Sequence, residues 1–410
     1  VETHLADFIR DTPQGREAES ILRKCVHCGF CTATCPTYQL LGDELDGPRG
    51  RIYLMKQMLE GEPVSAKTQL HLDRCLTCRS CETTCPSGVR YGRLVEIGRE
   101  VVEQRVPRSP GERARRWLLR KSLLSRPLFG AAAAAGRLAR PMLPRSLRAK
   151  LPEARRIAWP RPRHARRMLA LDGCVQPALA PSIDASMARV LDRIGISLVR
   201  VAGSGCCGAL SQHLAAVADA RRAMRANIDA WWPEIERGAE AIVVTATGCG
   251  VQLKEYGELL RDDPAYAARA ERVAALARDP VEIVAAQWKA LAPLLALDRG
   301  AERVAFHAPC TLQHGLKLAG RVEEILEAIG LELSPVADAH LCCGSAGTYS
   351  ILQAELSERL RANKIAALEA GRPDIIATAN IGCLMHLSAV AARPVHHWIE
   401  ILDARLRGDA

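Results

Sequence analysis

Two stretches decide how this chain is read: Cys25-Val-His-Cys28-Gly-Phe-Cys31-Thr-Ala-Thr-Cys35-Pro36 and Cys75-Leu-Thr-Cys78-Arg-Ser-Cys81-Glu-Thr-Thr-Cys85-Pro86. Both follow C-x2-C-x2-C-x3-C-P, a spacing that lets three thiolates wrap one face of an iron-sulfur cube while the fourth points toward a neighbouring cube. The pattern predicts two [4Fe-4S] clusters, one held by Cys25, Cys28, Cys31 and Cys85 and the other by Cys75, Cys78, Cys81 and Cys35. Zinc also accepts soft thiolates, but eight of them in this doubled arrangement favour iron and sulfide. Pro36 and Pro86 follow the fourth cysteines and turn the chain away from each site.

Around these motifs the pattern is helical. Ile52, Met55 and Leu59 share one face of a helix expected over 51–60, after punctuation at 48–50, and a second helix is expected over 91–101. Residues 1–104 therefore read as a small helical domain carrying both clusters.

Eight more of the 16 cysteines lie downstream, and they repeat. Cys174, Cys206, Cys207 and Cys249 recur 136, 136, 136 and 134 residues later as Cys310, Cys342, Cys343 and Cys383. Each pair continues into glycine, Asn227 matches Asn363, and TATGC at 245–249 resembles TANIGC at 378–383. Strands are expected at 168–171, 197–201, 241–245, 304–307, 331–333 and 374–378, and helices at 182–194, 213–231, 320–328 and 354–370. That alternation marks α/β units with parallel strands, whose sites gather beyond the strand ends. The fold class is thus an α+β multidomain chain: an N-terminal all-α ferredoxin-like domain with two cubane clusters, then two pseudo-symmetric α/β Cys-Cys-Gly repeats at 168–299 and 300–410.

Three readings of the downstream cysteines stay open. They hold a further iron-sulfur cluster, they shape a quinone or thiol-substrate site without metal, or they pack as small hydrophobes. A vicinal pair is poorly placed for an unstrained disulfide, whereas both of its thiolates can reach a metal. His307 and His386, near Cys310 and Cys383, are auxiliary candidates as ligands, proton relays or packing residues.

The 410 residues carry a formal charge of +10, and that charge is local. Between 105 and 167, 19 Lys or Arg stand against Glu112 and Glu153, so this stretch carries +17 and the remainder −7. Prolines recur through it, so short or kinked helices are expected. It reads as a basic linker or as a docking surface for an anionic membrane face or an acidic subunit. Nucleic-acid binding is the least favoured reading of the stretch, because no recognised binding motif or aromatic interleaving accompanies the charge, and no nucleic-acid partner is expected. No run approaches the roughly 20 apolar residues of a membrane span, and no basic start followed by an apolar stretch marks a signal. A cytoplasmic setting is expected. No GxGxxG turn or P-loop is present, so flavin or nicotinamide belongs to a partner rather than to this chain.

The doubled cluster motif followed by two Cys-Cys-Gly repeats resembles the iron-sulfur subunits of bacterial glycolate oxidases, also called glycolate dehydrogenases. More broadly, it is similar to heterodisulfide-reductase, lactate-utilisation and anaerobic glycerol-3-phosphate dehydrogenase subunits. The resemblance spans 20–104 and 168–400. It implies FAD-binding partner subunits that oxidise glycolate to glyoxylate, with this chain conducting electrons toward a membrane quinone. Peripheral placement at the inner face of the cell membrane is a further expectation, drawn from the basic stretch, and the chain is expected to carry no catalytic residue of its own. The alternatives are the equivalent subunit of a lactate or glycerol-3-phosphate dehydrogenase, or a thiol-disulfide subunit. The heterodisulfide-reductase pattern ends each repeat in C-x-x-C. Here Cys249 leads to Gln252 and Cys383 to His386, which argues against disulfide reduction.

Overall fold

The computed structural model describes residues 2–142, 158–295 and 302–407. The 299/300 repeat boundary and part of the basic stretch, including Glu153, lie outside the described residues.

The N-terminal region is helical as expected, with two differences. The helix expected from 51 begins at Pro48 and runs Pro48–Leu59, because a proline at the first helical position lacks only an N–H that would be unpaired there anyway. The second helix extends over Tyr91–Arg105. Leu22, Met55, Leu59, Leu72, Leu94 and Ile97 pack between these helices and Pro13–Lys24 with almost no exposure. Burial of each such side chain contributes about 1.5–3 kcal/mol.

The basic stretch corrects the expectation of short or kinked helices. It forms Pro110–Leu124 and Arg126–Leu138, with Pro110 and Pro127 at helix starts rather than inside helices. Ser109 caps the first by accepting from the Glu112 amide at 3.3 Å. Its guanidiniums are largely engaged within the chain. Arg108 meets Asp73, Glu103 and Glu112, and Arg116 also reaches Asp73. Arg120 pairs with Asp219, and Arg126 with Asp172. The segment therefore straps the N-terminal region to the first repeat.

Each repeat contains a four-stranded, all-parallel sheet. The first comprises β1 (Arg166–Ala170), β2 (Ile196–Arg200), β3 (Ile242–Val243) and β4 (Ala277–Arg278), ordered β2-β1-β3-β4. The second comprises β5 (Arg303–His307), β6 (Glu332–Leu333), β7 (Ile375–Thr378) and β8 (Val395–His397), ordered β6-β5-β7-β8. The matching order gives the sequence repeat a structural counterpart. Strands β4 and β8 were not expected from the sequence, and the helix expected over 213–231 is two, Ala209–His213 and Val217–Glu236.

The repeats share one core. Met187, Leu191 and Leu198 of the first pack in the same cluster as Phe306, Leu326 and Trp398 of the second. The closing helix, Trp398–Arg407, returns to the first repeat, where Asp403 accepts from Arg189 Nε at 2.9 Å. His397 Nε2 lies 3.0 Å from the Thr245 carbonyl oxygen.

Candidate metal centres

In an open parallel sheet, the loops beyond the carboxyl ends of adjacent strands flanking a reversal of strand order form a crevice. Cys174, Cys206 and Cys207 follow β1 and β2, and Cys249 lies on the helix Thr247–Lys254 after β3. Cys310, Cys342, Cys343 and Cys383 occupy the corresponding places after β5, β6 and β7. The Cys-Cys-Gly turn requires its glycine. Gly208 and Gly344 have φ of +92° and +89°, and a Cβ on Gly344 would stand 2.7 Å from the Ser357 carbonyl oxygen. These conformations also bring the Gly208 and Gly344 amides to 3.4 Å from Cys206 Sγ and Cys342 Sγ.

The upstream motifs show a second symmetry. His27 and Thr77 both have φ of +54°, and Gly29 and Arg79 are left-handed at +85° and +62°. The two C-x2-C-x2-C loops thus share one backbone path. Arg79 occupies the position where the first motif has glycine, and its side chain is clasped by Glu255.

One small cavity, of 30 Å³, is lined by Cys25, Cys28, Cys31 and Cys85, with Cys81 at its wall. A second, of 20 Å³, is lined by Cys35, Cys75, Cys78 and Cys81. Their sulfurs fit a metal by chemistry. Burial pushes the Cys31 thiol up to about 11 and those of Cys78 and Cys81 well above the ordinary range, so a positively charged centre is needed to hold them as thiolates. Burial also pushes Cys75 upward, but the Arg51 and Arg99 guanidiniums outweigh it and leave the thiol lowered.

Sequence reasoning did not find this surrounding shell. Tyr91 donates its hydroxyl to Cys75 Sγ at 3.7 Å, and the Thr77 amide reaches the same sulfur at 3.4 Å. Arg51, 1% exposed, donates to the His71 carbonyl at 2.7 Å and to Asp46 at 3.2 Å. Such hydrogen bonds and charges tune a sulfur-ligated centre. No spacing in the sequence joins Tyr91 or Arg51 to Cys75.

A third cavity, of 580 Å³, lies where the three regions meet. Its walls include Cys75, all eight downstream cysteines, Phe129 from the basic strap, Tyr349 and His386. In the first repeat Cys206 is the thiol held down, to about 4, by hydrogen bonds with Cys174 and Cys207. In the second, Cys310 Sγ lies 3.8 Å from Cys342 Sγ, while Cys343 neighbours Cys342 and Cys383. Cys78 packs in the same apolar cluster as Cys310 and Cys342, so the second repeat adjoins the upstream sites.

The symmetry breaks around the cysteines. Asn227 is buried, accepts from the Gly205 amide at 2.7 Å and donates to the Cys206 carbonyl at 2.8 Å. Its counterpart Asn363 is exposed, and Lys364 is buried beside it, donating to the Asp338 carbonyl at 2.7 Å. His307 ends β5 in a fully buried position, where desolvation lowers its pKa to about 3. His386 is engaged by Ser357 Oγ at 3.3 Å.

Comparison with known proteins follows the same division. A 4Fe-4S dicluster domain model matches residues 21–89, and a cysteine-rich domain model matches 168–254 and 304–388. The glycolate oxidase iron-sulfur subunit of Escherichia coli K12 is 54% identical over 99% of both chains. The probable glycolate oxidase iron-sulfur subunit of Bacillus subtilis is 31% identical over 91% of this chain and 89% of its own. Lactate utilization protein A of Bacillus licheniformis is 27% identical over 57% of this chain and 97% of its own. With identity running the full length and both cysteine-bearing regions matched, the chain belongs to the family of glycolate oxidase iron-sulfur subunits.

Proposed function

We propose that this chain is the electron-transfer subunit of a flavin-dependent glycolate oxidase complex. It carries electrons from FAD on partner subunits, where glycolate becomes glyoxylate, toward a membrane quinone. The observation that carries this reading is the run of thiols from exposed Cys28 to buried Cys383, through two adjoining cysteine-lined cavities and into a third.

On this reading Cys25, Cys28, Cys31 and Cys85 hold one [4Fe-4S] cluster, and Cys75, Cys78, Cys81 and Cys35 hold the other. The clusters supply reversible one-electron chemistry, and the protein's groups set their spacing and potential. Val26 and Phe30, 66% and 59% exposed beside the first site, mark the side where a flavoprotein docks. The downstream cysteines hold a further centre, and the remaining volume of the large cavity suits the acceptor. The domain division is 1–104, 105–167, 168–299 and 300–410.

Contact with the inner face of the membrane is peripheral. No helix among the described residues is long and apolar enough to cross it. Exposed Trp117, Leu118 and Leu128 on the strap supply apolar insertion, and exposed Arg113 supplies attraction to anionic lipid.

Cys35→Ser in the full chain tests the crossed ligand assignment. Iron, acid-labile sulfide and EPR of the reduced protein should show impairment of the centre containing Cys75, Cys78 and Cys81, with the other signal retained. Selective loss of the Cys25, Cys28 and Cys31 centre would refute it.

A further inference from the structure

The two repeats differ at one buried position. Leu171 follows β1, three residues before Cys174, and its counterpart three residues before Cys310 is His307. Leu171 belongs to the apolar core around Trp231 and Ile242. His307 is 1% exposed, and neither Nδ1 nor Nε2 has a hydrogen-bond partner among the described residues. Leaving both imidazole nitrogens unmatched in the interior is unfavourable, which points to an additional partner.

The surroundings identify the chemistry of that partner. One His307 ring nitrogen, Cys343 Sγ and Cys383 Sγ lie within 4.8 Å of one another. Zinc binds sulfur at about 2.3 Å and imidazole nitrogen at about 2.0–2.1 Å, so one ion can join such a set with modest closure. Two thiolates and an imidazole select a borderline-soft metal rather than magnesium or calcium. Asn380 Nδ2 lies 3.5 Å from Cys383 Sγ and supports that ligand from outside the set.

We propose that His307, Cys343 and Cys383 bind one metal ion through two sulfurs and one nitrogen, giving the second repeat a mixed-donor site that the first repeat lacks. The ion is iron within a sulfur-bridged centre or zinc; both satisfy the donor chemistry. This deepens the reading that the downstream cysteines bind metal, and rests on it. His386 stands outside the set, held by Ser357.

The test uses the anaerobically purified full chain, with iron and zinc counted and histidine labelled with 15N. If the ion is iron, pulsed EPR of the reduced protein shows a nitrogen coupling that changes with the label. That coupling is lost in His307→Leu and in His307→Cys, and remains in His386→Leu. His307→Cys retains the iron because it restores a third sulfur, which separates loss of the nitrogen ligand from failure to fold. If the ion is zinc, X-ray absorption shows sulfur together with nitrogen around about one zinc per chain, and His307→Leu loses that zinc.

More than about eight irons with no labelled-histidine coupling, and no nitrogen-ligated zinc, would overturn the His307 assignment while leaving metal in the repeats. About eight irons and no zinc would overturn both readings. Unchanged metal content and spectra in His307→Leu would overturn this proposal alone.

Discussion

Replacing Tyr91 with phenylalanine isolates a single hydrogen bond to one proposed cluster. Tyr91 is 4% exposed, and its hydroxyl reaches Cys75 Sγ at 3.7 Å. Phenylalanine keeps the ring packing and removes that donor. A hydrogen bond to a ligand sulfur favours the more negatively charged reduced state, so its removal lowers the potential. A net contribution of about 0.5–1.5 kcal/mol corresponds to about 20–60 mV, since 1.4 kcal/mol is a factor of ten and a one-electron couple moves about 59 mV per factor of ten. The full amount is an upper bound because the oxidised state keeps part of the bond. The expected result is a shift of about 20–40 mV to more negative potential at the centre containing Cys75, with iron content unchanged and a smaller shift at the other. An EPR-monitored redox titration of the full chain measures both. A positive shift, equal movement of both centres, or a change under about 10 mV at the Cys75 centre would refute the reasoning.

Three further substitutions test the fold beneath the sites. Gly344→Ala should destabilise more than Gly208→Ala: both place a side chain in the left-handed region, at about 1–2 kcal/mol, but only the former brings a Cβ within 3.0 Å of a backbone oxygen. Denaturant midpoints should therefore fall in the order wild type, Gly208→Ala, Gly344→Ala, and the reverse order of the two variants would contradict the geometry. Asp279, buried at the start of Pro280–Ala286, has its pKa raised by desolvation to about 7. Its folded form binds a proton that the unfolded chain has released, so its contribution is present below about pH 4 and is lost as pH rises through about 7. Asp279→Asn should remove up to about 1.4 kcal/mol per pH unit of downward slope across that window. Melting curves between about pH 5 and 8 check this, and parallel pH profiles for wild type and variant would exclude it.

The sequence exposed much of this architecture because metal-ligand spacing is local. The eight upstream cysteines and the two Cys-Cys-Gly turns could be placed by counting residues, and β1, β2, β5 and β7 carry ordinary apolar patterns. Strand β4 is only two residues and directly follows the helix Ala267–Leu276, so no period marks it. Strand β8 contains His396 and His397, residues that weaken its apolar signal. Pro48, Pro110 and Pro127 read as interruptions because helix-starting and helix-breaking prolines look alike until the chain direction on either side is known. The contacts from Tyr91 and Arg51, the isolation of His307 and the partners of the basic stretch all depend on packing between distant segments. Composition made the basic stretch look like an outward-facing charge, whereas Arg108, Arg116, Arg120 and Arg126 are paired with acidic groups of the regions the stretch joins.

That strap also changes how the chain can be divided. Asp73 of the N-terminal region and Asp172 and Asp219 of the first repeat are satisfied by arginines that follow residue 104. A cut at that boundary would strip Asp73 of Arg108 and Arg116, while Arg120 and Arg126 would stay with Asp219 and Asp172, leaving direct pairs such as Arg79 with Glu255 to orient the two pieces. Electron tunnelling weakens steeply with separation, so on the proposed path toward the downstream cysteines the arginines act as a ruler: with the direct Arg79–Glu255 pair, they help hold the two bodies in register.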